Sequence, residues 1–205
     1  MYSPPAFRED RIDVLHDAIR ANPLGTLITC SSTGLMANVI PFVLRQKAGG
    51  DTLLAHLAKA NNQIAQLREQ TEVLVVFQGP QAYITPSWYA TKQEHGKVVP
   101  TWNYVVVQAR GTPLVIDDPN WLRSQIDDLT EAHERSRPDP WSVNDAPDGF
   151  VAGTMKGIVG LELLIDSIEG KWKVSQNQPQ KNRQGVERGL RNEGYHDLAD
   201  LVGSK

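Results

Sequence analysis

Cysteine is almost missing from this chain: Cys30 stands alone, so no intrachain disulfide can form and no thiolate cluster can hold zinc. Its surroundings, TLITCSS, read as the end of a strand, and the expectation is a buried, inert thiol. Long apolar runs are missing too. No stretch approaches the ~20 apolar residues that a membrane-spanning helix requires, and the opening MYSPPAFRED lacks the basic segment and apolar core of a secretion signal. No membrane association and a cytoplasmic location are the expectations. Positive charge is not in excess: a net charge of −3 argues against a surface coated in cations. Neither GxGxxG nor GxxxxGK followed by Ser or Thr occurs, which removes the common glycine-rich phosphate loops.

What is present is ordinary globular material. The 205 residues are 40% hydrophobic and 22% charged, enough for a well-buried core. There is no internal repeat, no low-complexity tract and no long linker, so one domain over 1–205 is expected. Charge is uneven along the chain. Residues 171–193, KWKVSQNQPQKNRQGVERGLRNE, hold six Lys or Arg against two Glu, and an anionic partner is expected near this segment.

Arg8 to Asn22 places Ile12, Leu15 and Ile19 at spacings of three and four before NPLG, which predicts an amphipathic N-terminal helix. Strands are predicted at Leu24–Cys30 and Met36–Leu44, with SSTG as the turn, and at Thr52–Leu57 after KAGGD. Asn61–Gln70 switches to helical spacing. Further strands are predicted at 72–77, at 81–85 after a Gly-Pro turn, and at 102–116, where Gly111 marks a bulge or bend. Asp118–Ser136 reads as an inserted helix with Pro119 in its first turn, and RPDPWSVNDAPDG as a loop. Strands at 157–168 and 171–175, joined by DSIEG, precede a helical extension over about 180–202. Successive antiparallel strands with few helices predict a mainly β, α+β fold: a closed or nearly closed β-barrel with peripheral helices.

One stretch is unusual. YITPSWYATKQEHGKVVPTWNY carries Tyr83, Trp88, Tyr89, Trp102 and Tyr104, and each large ring left in water forgoes roughly 1.5–3 kcal/mol of burial. Something must cover these rings. LLAHLAKANNQIAQL places His56, Lys59, Asn61 and Asn62 where a strand gives way to a helix, a mixture of ammonium and amide groups suited to a phosphate.

Four motifs in order, MYSPPAF, HLAKANNQ, YITPSWY with VPTWNY, and KWKVSQNQPQKNRQGVERGL, resemble the PaiB-type FMN-binding proteins, often labelled negative transcriptional regulators, which have the FMN-binding split-barrel fold. The resemblance covers almost the full length. It implies a homodimer with FMN sites between subunits, the rings of Trp88, Tyr89, Trp102 and Tyr104 being covered by the partner copy and the flavin. It assigns Lys59 to the FMN phosphate with His56 and Asn61, and the strand carrying Asn38, Val39 and Ile40 to the flavin ring. Trp102 and Asn103 of VPTWNY, with Gln176, Asn177 and Arg183 of the C-terminal segment, complete the set. Related oxidases often carry arginine near Asn38, and this chain has none until Arg45.

The residues alone leave alternatives open. Lys59 also fits a solvated lysine at a helix start, His56 a hydrogen-bonded barrel histidine, and the aromatic stretch a dimer interface without ligand. The pairs Asp117–Asp118 and Asp127–Asp128 fall at the start and on the solvated face of the inserted helix, away from acid-base chemistry. Three functions follow from the resemblance. The first is an FMN-binding regulator touching DNA through its basic C-terminal segment. The second is a flavin-dependent oxidoreductase with His95 as proton donor. The third is a haem protein using His95 or His56.

Overall fold

The computed structural model describes residues 1–32 and 34–204. Among these residues the strands are β1 (Arg8–Glu9), β2 (Leu24–Ser31), β3 (Gly34–Pro41), β4 (Val43–Arg45), β5 (Thr52–Ala58), β6 (Val73–Ile84), β7 (Thr101–Ile116) and β8 (Ile158–Lys173). The α-helices are α1 (Ile12–Ala21), α2 (Gln63–Glu69), α3 (Thr91–His95), α4 (Pro119–Glu134), α5 (Asp148–Met155), α6 (Gln180–Asn192) and α7 (His196–Gly203). The strands form one sheet in the order β3-β2-β6-β7-β8-β5-β4, with β1 pairing β8; the pairs β1–β8, β2–β3, β2–β6, β4–β5 and β5–β8 are antiparallel. The expected antiparallel sheet with peripheral helices is what the chain forms. Two compact units emerge: one from Met1–Ala18, Gln78–Gln108 and the segment beginning at Glu169, the other from Ile19–Phe77 and Ala109–Ile168.

The second unit is built on the β2–β3 hairpin, whose register runs from Leu24↔Pro41 to Ser31↔Gly34, and on the β5–β8 pair, His56 lying opposite Gly160. Thr33, inside the expected SSTG turn, lies outside the described residues. Thr52, Leu53, Leu54 and Ala55 of β5 are all buried because the strand is covered on both faces. One face takes α4, where Trp121 lies so close to Gly160 that a Cβ there would meet its ring at 2.3 Å. The other joins Leu27, Phe42, Val75 and Phe77, the two phenylalanines meeting edge to face at 5.7 Å. α4 starts as the sequence predicts: Asp118 caps it by accepting from Trp121 N at 2.7 Å, ahead of Pro119.

In the first unit, α6 lays Asn182, Gly185, Val186, Gly189 and Leu190 inward. Gly185 and Gly189, one turn apart, form a seat for Trp88. A Cβ at Gly189 would strike the indole at 2.3 Å, and one at Gly185 the Trp88 carbonyl oxygen at 1.9 Å. Asn182 clamps the same segment, accepting from Thr91 N at 3.1 Å and donating to Thr91 Oγ1 at 2.9 Å.

Several local expectations give way to longer-range pairing. Arg8 and Glu9 join β8 as β1 instead of opening the helix. β6 runs straight through Gly79-Pro80, because the residues that β2 pairs with end at Val76 and no donor is required of Pro80 on that side. β8 likewise runs through the expected DSIEG turn. Gly111 marks a close backbone approach, since a Cβ there would lie 1.9 Å from the Leu164 carbonyl oxygen. The loop after α4 ends in the short helix α5. Cys30 is exposed, not buried, because the side chains of β2 alternate and Leu27 and Thr29 take the inner positions.

Candidate functional site

Lys59 is the first residue after β5. Its backbone N–H is pinned to the Gly157 carbonyl at 2.8 Å, and its side chain is exposed. Among the described residues its ammonium has no ion-pair or hydrogen-bond partner. The turn continues through Asn61, whose Oδ1 accepts from Gln63 N at 2.9 Å. Gln63 is fully buried and ties this corner to the hairpin: its Nε2 reaches Leu27 O at 3.1 Å, Thr29 Oγ1 at 3.2 Å and Met36 O at 3.3 Å, while its Oε1 accepts from Asn38 Nδ2 at 2.9 Å. Thr29 Oγ1 in turn donates to Gln66. Asn38 and Asn61, far apart in sequence, are therefore two ends of one polar network whose hub is Gln63. LAKANNQIAQL reads as amphipathic helix spacing, so nothing local marks Gln63 as an interior residue.

Val39 and Ile40 alternate, Val39 at 61% exposure and Ile40 at 8%. β3 ends the strand order, so its outer backbone edge is unclaimed by the strands of this sheet and can offer N–H and C=O groups to a flat heterocycle. His56 is half-buried, with Nδ1 2.8 Å from Gln125 Oε1 on α4. Gln125 Nε2 is buried and has no partner among the described residues. The amide's orientation fixes which ring nitrogen of His56 carries the proton. Uncommitted ammonium, amide side chains and a free strand edge form a donor set that fits a phosphorylated flavin.

The remaining site candidates belong to the first unit. Tyr83 and Trp102 stand edge to face with centroids 6.2 Å apart, 49% and 54% exposed. Lys171 Nζ lies 5.3 Å from the Tyr104 ring centroid and 5.7 Å from that of Tyr2. The rings therefore divide. Tyr89 is buried by its own chain, which corrects the expectation that a partner and a flavin cover it, while Trp88 is seated on α6 and remains half-buried. Trp102 and Tyr83 stay uncovered. Asn103 is buried and exchanges hydrogen bonds with Ser175, its Nδ2 donating to Oγ at 2.9 Å. Gln176 is consumed within its own turn: Oε1 accepts from Val174 N at 2.8 Å, and Nε2 donates to Trp172 O. Asn177 is exposed. Arg183 lines a recess of about 160 Å³ with Gln184 and Glu187, and its Nε is buried with no partner among the described residues. His95 is exposed at the end of α3, its Nδ1 accepting from Lys97 N at 3.0 Å.

Two titratable groups here depart from their ordinary values. Burial pushes the Tyr89 phenol up. Burial, then the nearby Lys171 charge, pulls Lys173 down. Among the described residues no cluster of His, Cys, Asp or Glu could hold a metal ion, and no helix is long and apolar enough to cross a membrane.

Comparison with known proteins places this architecture. Residues 1–167 match the family described as "Putative FMN-binding domain". An Emericella nidulans protein of uncharacterised function is 37% identical over 95% of this chain and 92% of its own length. The Bacillus subtilis protease synthase and sporulation protein PAI 2 is 28% identical over 100% of this chain and 98% of its own. Among solved structures, a Mycobacterium tuberculosis conserved hypothetical protein superimposes with a TM-score of 0.60 at 12% identity, over 88% of this chain and 95% of that one. The FAD and heme binding protein from Mycobacterium smegmatis gives 0.59 at 18% identity, over 81% and 73%. At such identities these likenesses speak for the fold, which is that of the flavin-binding split barrels. The chain belongs to the PaiB-type FMN-binding family, whose cofactor is FMN.

Proposed function

We propose that this protein works as an FMN-binding homodimer and acts as a negative transcriptional regulator. The observation that carries the reading is the Tyr83–Trp102 pair, two large rings stacked edge to face and about half exposed on the first unit. About half of each ring is still in water, so a second copy restores about half of the roughly 1.5–3 kcal/mol of full burial for each. In the second unit, Lys59 holds the flavin phosphate with Asn61 beside it, the edge of β3 at Asn38, Val39 and Ile40 meets the ring system, and His56 is held ready by Gln125. In the first unit, Asn103 and Gln176 stiffen the backbone around Trp102 and the C-terminal turn, and Arg183 offers a further cation. Bound FMN supplies a redox-active ring; the chain's part is to hold and orient it.

The regulatory part of the reading leans on the full-length likeness to the Bacillus subtilis sporulation protein. It is supported by one pair of facing cations in the first unit. Arg8 sits directly opposite Lys171 in the β1–β8 pair, and neither has a carboxylate partner among the described residues. Such a pair suits a contact to DNA phosphates. The test is sedimentation with and without FMN, followed by promoter-DNA binding at low and moderate salt. A dimer that binds DNA with a falling affinity as salt rises supports the proposal. A monomer sinks the dimer, and absence of DNA binding at both salts, or indifference to salt, sinks the regulatory role.

A further inference from the structure

In the first unit, where the end of β8 meets the start of β7, a recess of about 170 Å³ opens between Tyr89, Thr101, Asn103, Lys173 and Ser175. At ~30 Å³ per water this is room for about six non-hydrogen atoms. Its lining contains one cation and no acid. Lys173 Nζ donates to the Trp102 carbonyl at 2.5 Å and to Thr101 Oγ1, so the ammonium is held in place, yet no carboxylate lies within ion-pair distance among the described residues. Lys171, on the same face of β8 two residues away, adds to the positive field.

The other polar groups are neutral and fixed. Tyr89 is 4% exposed, and among the described residues its hydroxyl has no hydrogen-bond partner. A hydroxyl without a protein partner on a ring that lines the recess is free to donate into it. Ser175 holds φ at 64°, the one described non-glycine residue in the left-handed region, and Asn103 ties its hydroxyl inward at 2.9 Å. Strain of this kind persists where the surroundings over-determine it and concentrates at ligand sites. A lone cation among neutral donors balances one negative charge; a dianion would leave a surplus charge half buried.

We propose that this recess binds a small monocarboxylate of about six non-hydrogen atoms or fewer, its carboxylate paired with Lys173 and a second oxygen receiving the Tyr89 hydroxyl. The recess shares Asn103 and Asn177 with the residues that the family resemblance gives to the flavin, and it adjoins Trp102 of the proposed dimer surface. A bound carboxylate relieves the repulsion between Lys171 and Lys173, so binding raises the proton affinity of Lys173. Binding weakens as pH climbs toward the alkaline range, beginning below the range where an ordinary lysine loses its proton, because burial and Lys171 already favour the neutral amine.

The experiment is an amide chemical-shift titration of the full-length ¹⁵N-labelled protein with propionate and, separately, with propionamide, its neutral isostere. Saturable shifts centred on Thr101, Asn103 and Ser175 with propionate, and at least tenfold weaker response to propionamide, are expected. Lys173→Gln weakens propionate at least tenfold. Tyr89→Phe, which keeps the ring and its packing, weakens it about three- to tenfold, and reads the site even if Lys173→Gln fails to fold. Equal responses to the two probes, shifts that never saturate, or full affinity in a folded Lys173→Gln or Tyr89→Phe protein overturn the proposal. Inorganic phosphate binding more tightly than propionate overturns the monocarboxylate assignment.

Discussion

Replacing Lys59 with alanine is the sharpest probe of how this chain grips its cofactor. Lys59 is exposed and its ammonium has no partner among the described residues, so its removal breaks no recorded contact in the free protein. The turn itself is kept by the Lys59 N–H to Gly157 bond, which alanine retains. A hydrogen bond to a charged group contributes about 1.5–3 kcal/mol. Water at this open corner screens the pair, which argues for the lower part of that range, about 1.5–2 kcal/mol. At 1.4 kcal/mol per factor of ten, FMN should bind roughly 10- to 30-fold more weakly. The assay is quenching of flavin fluorescence on titration with protein, run beside Lys47→Ala. Lys47 is an exposed lysine of the same unit already paired with Glu162 at 3.1 Å, so its removal changes the net charge equally without touching the proposed site. Less than about a twofold change is expected there. An unchanged Kd for Lys59→Ala, or the same loss in both variants, would refute a specific phosphate contact.

Three further outcomes follow from the geometry. Trp102→Glu, placing charge on the half-exposed ring pair, should shift a dimer to monomer in sedimentation while leaving the fold intact by circular dichroism; an unchanged dimer removes Trp102 from the interface. Gly185→Ala drives a methyl group to within 1.9 Å of the Trp88 carbonyl oxygen, and overpacking of this kind costs about 1–3 kcal/mol, a melting temperature lower by a few degrees. Thr29→Val keeps shape and removes the hydroxyl that joins Gln63 to Gln66, and should cost about 1–2 kcal/mol in urea unfolding with no change in m.

How far the sequence speaks for this fold depends on the range of the forces involved. β7 and α4 were legible almost to their ends, since alternation, Pro119 and the Asp118 cap all act within a few residues. β6 and β8 were not. Gly79-Pro80 and DSIEG are strong local turn signals, and each predicts an interruption. Both strands continue because neighbours distant in sequence pair with them: β1 pairs with Gly170, the last residue of the expected turn, and with Lys171 just after it. Local propensity describes an isolated segment, and the sheet outvotes it.

The candidate site shows the same division with a chemical consequence. Lys59 and Asn61 could be named because a cation and amides beside a strand end are visible in eleven residues. Gln63 could not, although it holds Asn38 against that corner. A glutamine in an amphipathic helix has the composition of a solvated residue, and only the arrival of β2 and β3 turns it into a buried hub. The aromatic stretch reversed in the opposite sense. Five rings suggest one surface, yet Gly185 and Gly189, about a hundred residues later, seat one side of Trp88 against α6 and leave Tyr83 with Trp102 as the more exposed pair. Two glycines a turn apart carry no side chain to announce a partner; their meaning lies in the indole that fills the space. The surface available to a second copy is therefore set by what α6 removes from it as much as by the rings the sequence supplies.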